Sequence, residues 1–236
     1  MGECILEAKD LYTHYGRIPM LMGASLKINK GEVICVLGAN GAGKTTLLKT
    51  ILGMVKADQG SVTFFGQNIT NQPTHKIISS GMAIAAAGVG TFPKMSVDDN
   101  LKIGAHYLKD KKIIEERLEE IYQFFPVLKN RLQQRAGTLS GGERTMLSLG
   151  RALLSSPEII MMDEPSLGLA PILVEETFEI VQKLRREGKT ILLVEQNAEK
   201  ALEVSDYGYI IQKGQIIFGD TIEGLRNSPY MESPVM

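Results

Sequence analysis

The chain has 236 residues, 44% of them hydrophobic, a formal net charge of −1 and two cysteines. That length allows one large or two small lobes around a substantial core, and the near-zero charge excludes a general attraction to nucleic acid or anionic lipid. No apolar stretch approaches the ~20 residues that span a bilayer, and Met1-Gly2-Glu3-Cys4 lacks the basic-then-apolar pattern of a secretory leader.

In chain order, residues 5–11 and 24–28 read as strands. Residues 33–37 form an apolar run that reads as a buried strand containing Cys35, while Cys4 borders the first strand. Such a pair of thiols implies neither a structural disulfide nor a metal site, and fits a reducing compartment. Residues 61–65 and 82–85 read as further strands. A helical middle follows at 98–108 and 111–125, where Ile114, Leu118, Ile121 and Phe125 recur on one face and acidic and basic residues fill the other. Then come a helix at 144–155, a strand at 159–163, a helix at 172–186, a strand at 190–195, and a hairpin of 207–212 with 215–219 through Lys213-Gly214. Strands alternating with helices imply an α/β fold with a mostly parallel central sheet, and the helical middle implies an inserted lobe.

Three motifs carry chemistry. Gly38-Ala39-Asn40-Gly41-Ala42-Gly43-Lys44-Thr45 fits G-x-x-x-x-G-K-[ST] between a strand and a helix, the context that a phosphate-binding loop requires. Glycines let successive N–H groups turn inward on a polyphosphate, and the helix N-terminus adds its partial positive charge. Lys44 would reach the β- and γ-phosphates and the Thr45 hydroxyl a magnesium ion, with Gly38, Asn40, Gly41, Gly43 and Thr46 completing the cradle. The second motif is Ile159-Ile160-Met161-Met162-Asp163-Glu164, a buried strand ending in two acids. Asp163 suits the magnesium sphere, and Glu164 suits polarising a water for attack on the γ-phosphate. The third is Thr138-Leu139-Ser140-Gly141-Gly142-Glu143 ahead of a helix. Ser140, Gly141 and Gly142 make a second anion site there, or else Ser140 is an ordinary helix cap. One nucleotide rarely needs two cradles, so this loop is expected to cover the γ-phosphate held by a partner chain.

With these three motifs in this order, the chain resembles the ATP-binding cassette proteins over essentially its whole length. The resemblance implies a phosphate-loop nucleotide-hydrolase core with an antiparallel β subdomain and an inserted helical signature lobe. The core then covers approximately 1–85 and 157–220, the lobe 86–156, and 221–236 a C-terminal tail, whose last residues, Pro229 to Met236, are expected to fray. It implies ATP and Mg2+ as ligands. Tyr15, in His14-Tyr15-Gly16, takes the place of the aromatic that stacks on adenine. Ser166-Leu167-Gly168-Leu169 lies where the dimer-contacting loop lies. Val194-Glu195-Gln196-Asn197 lies at the switch, with Gln196 where most cassettes carry His. An amide donates a hydrogen bond to the γ-phosphate but does not titrate. Gln196 with the Asp163-to-Pro171 stretch, Glu143 ending the signature, and Thr91-Phe92-Pro93 look like the ATP-binding subunits of branched-chain amino-acid importers. Expected partners are therefore a second cassette, in a homo- or heterodimer, and integral membrane permease subunits, with no nucleic acid. The expected place is cytoplasmic, peripheral on the inner face of the plasma membrane.

The chain departs from that family in Gly81-Met82-Ala83-Ile84-Ala85-Ala86-Ala87-Gly88-Val89-Gly90. Cassettes generally carry Gln here, and the similar importer cassettes Glu, whose oxygen meets the magnesium and the attacking water. Ala87 occupies that slot without an oxygen to offer. The alternative expectation is thus a nucleotide-dependent dimerising module whose hydrolysis is impaired. Arg144-Thr145 also replaces the usual Gln-Gln after the signature.

Overall fold

The computed structural model describes residues 2–86 and 90–231. Ala87, on which the expectation of impaired hydrolysis rests, lies outside the described residues.

Two long strands open the chain, β1 (Cys4–Tyr15) and β2 (Ile18–Asn29), followed by β3 (Val33–Leu37) and helix α1 (Lys44–Ile51). Next come β4 (Gln59–Phe64), β5 (Gln67–Asn68), α2 (Thr74–Ser79) and β6 (Met82–Ala86). The helical stretch holds α3 (Val97–Ile103), α4 (Lys111–Phe124), α5 (Pro126–Lys129) and α6 (Gly141–Leu154). The chain closes with β7 (Ile159–Asp163), α7 (Pro171–Arg186), β8 (Thr190–Glu195), α8 (Ala198–Val204), β9 (Tyr207–Gln212), β10 (Gln215–Thr221) and α9 (Ile222–Arg226).

The strands form two sheets. A six-stranded sheet has the order β10-β9-β3-β8-β7-β6, parallel throughout except for β10, which turns back on β9. A four-stranded antiparallel sheet has the order β2-β1-β4-β5. All residues of β3 and β8 are buried, as expected of parallel strands covered on both faces. The period of two then splits their side chains between two cores. Val33, Cys35, Leu37, Met162 and Leu193 pack with Leu101, Leu147, Phe178 and Val181 of the helices. Ile34, Val36, Met161 and Leu192 pack with Leu47, Leu48 and Ile51 of α1 and with Leu6, Leu21 and Val62 of the antiparallel sheet. The mostly parallel α/β core, the antiparallel subdomain and the helical stretch expected from the sequence are all present.

Two differences matter. The helix expected over 98–108 stops at Ile103. A Cβ on Gly104 would lie 2.2 Å from the Arg151 carbonyl oxygen, so the chain there runs directly against α6. The stretch expected to be tail from 221 contains α9, capped by the Thr221 hydroxyl that accepts from Gly224 N–H, with Leu225 buried and Tyr230 tilted over Phe218 at 5.4 Å. Buried Asn100 anchors the loop before α3. Its amide donates to the Phe92 and Ser96 carbonyls, and its oxygen accepts from Phe92 N–H.

Candidate active site

The parallel strands β3, β7 and β8 deliver three loops to one edge of the sheet, outside their carboxyl ends, where ligands bind in open α/β folds. The loop after β3 runs through Gly43, whose φ of 110° is left-handed and whose Cβ would lie 2.9 Å from the Met20 carbonyl oxygen. Only glycine fits there. The tip of the β9–β10 hairpin braces the same point: Gly214 N–H donates to the Ala42 carbonyl at 2.8 Å, and Met22 N–H to that of Gly214.

Lys44 is 3% exposed. Its Nζ donates to the Gly38 carbonyl at 2.6 Å and the Ala39 carbonyl at 3.0 Å, and pairs with Glu164 Oε1 at 2.9 Å. The Thr45 hydroxyl donates to Asp163 Oδ1 at 2.9 Å. Burial pushes the Asp163 carboxyl above its ordinary value; the Thr45 hydrogen bond opposes this and the neighbouring Glu164 charge adds to it. Glu164 has φ 46°, with its N–H on the Val194 carbonyl at 3.0 Å. The left-handed turn costs a non-glycine residue on the order of 1 kcal/mol, and it ends β7 where the carboxylate reaches Lys44. A cavity of about 160 Å³ is bounded by Met20, Asn40, Gly41, Gly43, Lys44, Thr45, Thr46 and Glu164. A Cβ on Gly41 would meet nothing within 4 Å, so the loop is open there. A larger cavity of about 390 Å³ lies on the other side of the same loop, against Ile210, Ile211 and Tyr230. It lacks Lys44, Thr45 and any acid, so the smaller one has the lining that suits a polyphosphate.

The donor set fits magnesium and a polyphosphate. The Thr45 hydroxyl and the Asp163 carboxylate are hard oxygens already converging on one point. Among the described residues no group of three or more His, Cys, Asp or Glu forms an all-protein cage, and magnesium, which keeps waters and phosphate oxygens, needs none.

The other expected residues lie apart from this cavity. Tyr15 ends β1 opposite Ile18 and is 42% exposed. Gln196 is exposed and borders a second cleft of about 270 Å³ whose wall includes Glu164, Ser166 and Leu167. Ser140 caps α6 in a full capping box: its hydroxyl accepts from Glu143 N–H at 3.2 Å, and Ser140 N–H donates to Glu143 Oε2 at 2.8 Å. Gly141 and Gly142 lie against Leu169 and Leu173, where a Cβ on Gly142 would come within 2.9 Å of Leu173. Within one chain Ser140, Gly141 and Gly142 do not line the phosphate cavity. Sequence reasoning gave no role to Met20 or Glu195. Met20 lines the cavity through a hairpin that carries no motif. Glu195 ends an apolar strand as an acid, and that was the available signal.

This arrangement of a glycine-rich phosphate loop, an acid-tipped neighbouring strand and a capped signature helix defines a nucleotide-binding cassette. A family model described as ABC transporter matches residues 21–167. The chain is 43% identical over 225 residues to the high-affinity branched-chain amino acid transport ATP-binding protein BraG of Pseudomonas aeruginosa, covering 95% of this chain and 96% of that one. It is 38% identical over 222 residues to the probable branched-chain amino acid transport ATP-binding protein LivF of Archaeoglobus fulgidus, covering 94% of each. Among solved structures, a nucleotide-free ATP-binding cassette from an ABC transporter superposes with a TM-score of 0.86 at 30% identity over 98% of each chain. The chain belongs to the ABC transporter family, as an ATP-binding ATPase subunit.

Proposed function

We propose that this subunit powers an importer of branched-chain or related amino acids. The observation that carries the reading is the 43% identity to a subunit of that name across nearly the full length of both chains.

In this reading the backbone N–H groups around Gly38, Asn40, Gly41 and Gly43, with Lys44 and Thr46, hold the triphosphate, and exposed Tyr15 stacks on the adenine. Thr45 and Asp163 hold Mg2+, which supplies positive charge to the phosphates when bound. Glu164 orients and polarises the attacking water, and the Gln196 amide reaches the γ-phosphate. Ser140, Gly141 and Gly142 of a second cassette close over the nucleotide, since those of the same chain do not line the cavity. Exposed Leu167 and Ile172 lie on the face where that second cassette docks. The helical stretch within residues 90–156 is the lobe that meets the membrane permease in this reading. Among the described residues no helix is long and apolar enough to cross a membrane, which fits a peripheral subunit on the cytoplasmic face.

The test is uptake of labelled leucine by vesicles holding the permease subunits, a partner cassette and this chain. ATP-dependent uptake that disappears in Glu164→Gln supports the reading; uptake indifferent to this chain overturns it. Ala87 carries the further expectation of slow turnover. Ala87→Glu then raises the ATPase rate, and an unchanged rate removes that expectation.

A further inference from the structure

Glu195 is the last residue of β8 and 1% exposed. A carboxylate so placed must be compensated, because burying a charge without partners is costly. Among the described residues no lysine or arginine pairs with it. Its partners are three backbone N–H groups instead. Oε1 accepts from Ser166 at 3.0 Å, and Oε2 from Gln196 at 2.9 Å and Asn197 at 3.2 Å. These donors belong to two loops. One follows Glu164 and carries Leu167, which is 58% exposed; the other carries Gln196. Both line the cleft whose wall includes Glu164. Packing alone does not call for this residue, since an apolar side chain would fill the space without a desolvated charge. A side chain with one acceptor could serve one loop; serving both needs two acceptor oxygens on one rigid group.

We propose that Glu195 is a positioning residue that clamps the Ser166–Leu167 loop to the Gln196 loop. A contact made at the exposed Leu167 thereby sets where Gln196 stands relative to Glu164. The proposal rests on reading this site as an ATPase site. It acts through the loops, not on the nucleotide.

The substitution that isolates the clamp is Glu195→Gln. The amide oxygen is expected to stay with the two donors of Gln196 and Asn197, which turns the NH2 group toward Ser166 N–H and releases that loop. Hydrogen exchange of the full chain should then be faster at Ser166 by about tenfold or more, with β7 unchanged. With MgATP, kcat should fall by about tenfold, while KM and the affinity for MgADP stay unchanged. Ser166→Pro removes the same donor from the opposite side, so adding Glu195→Gln to it should cost little more. Unchanged exchange at Ser166 overturns the clamp. Unchanged kcat despite faster exchange overturns its role, and so does a parallel loss of MgADP affinity, which marks general loosening. Failure of the ATPase reading is separately visible as equal turnover in the unsubstituted chain and Glu164→Gln, and the exchange measurement still decides the clamp.

Discussion

Lys44 and Glu164 form an ion pair of 2.9 Å at the floor of the phosphate cavity, with the lysine 3% and the glutamate 16% exposed. Lys44 spends its remaining donors on the Gly38 and Ala39 carbonyls. The cation that should greet a triphosphate is thus held by the residue that should later act on the water. In the proposed function, a triphosphate at Lys44 competes with Glu164 for the ammonium.

Neutralising Glu164 should therefore tighten binding. Glu164→Gln holds the ammonium less and removes a negative charge beside the phosphates, so ADP affinity should rise by about threefold or more. Titration calorimetry checks this, and equal affinities would mean that the pair does not compete with the ligand. Lys44→Ala, which leaves Glu164 without its cation, should bind poorly and lose about 1–3 kcal/mol of stability.

Asp163 links function to pH-dependent stability. Burial raises its carboxyl above the ordinary value, so the folded chain holds this proton more tightly than the unfolded chain does. That contribution is present below the unfolded value and is lost as pH rises through the folded one. Near neutral pH the ionised group costs stability until a cation arrives. Asp163→Asn should raise the Tm of the nucleotide-free protein by about 2 °C or more at pH 7, with a smaller gain toward pH 4. It should also lose magnesium-dependent nucleotide binding. Scanning calorimetry across pH measures both signs; a lower Tm at pH 7 would contradict the account.

Much of this site was legible because its parts are local. A glycine-rich loop between a strand and a helix, and an apolar strand ending in Asp163-Glu164, need only a few consecutive residues to declare themselves. The split of β3 into two cores follows from its alternating side chains in the same way. What was not legible is set by tertiary approach. Met20 borders the phosphate cavity because β2 and the Gly214 turn meet behind Gly43, and nothing near Met20 in the sequence marks this. The close approach of Gly104 to the Arg151 carbonyl, 47 positions away, is likewise unmarked in the sequence. Ile222–Arg226 is too short to show a period, yet its cap and the buried Leu225 fix it.

Ser140 caps α6 and, in the proposed function, also meets the partner's γ-phosphate, two roles that substitution can separate. Ser140→Ala removes the cap of α6 and should cost about 1 kcal/mol. Ser140→Asp keeps a capping oxygen, so stability should return while its negative charge repels the partner's γ-phosphate. Thermal unfolding and turnover on the same pair decide it: recovery of both in Ser140→Asp would leave Ser140 a cap only.

In the proposed function Glu164 drives hydrolysis of ATP bound at Lys44, Thr45 and Asp163. Its most direct test is steady-state release of phosphate from MgATP by the chain with its partner cassette, beside Glu164→Gln and a magnesium-free control. Turnover should require magnesium and fall by about a hundredfold or more in Glu164→Gln. Turnover that persists in Glu164→Gln would contradict it.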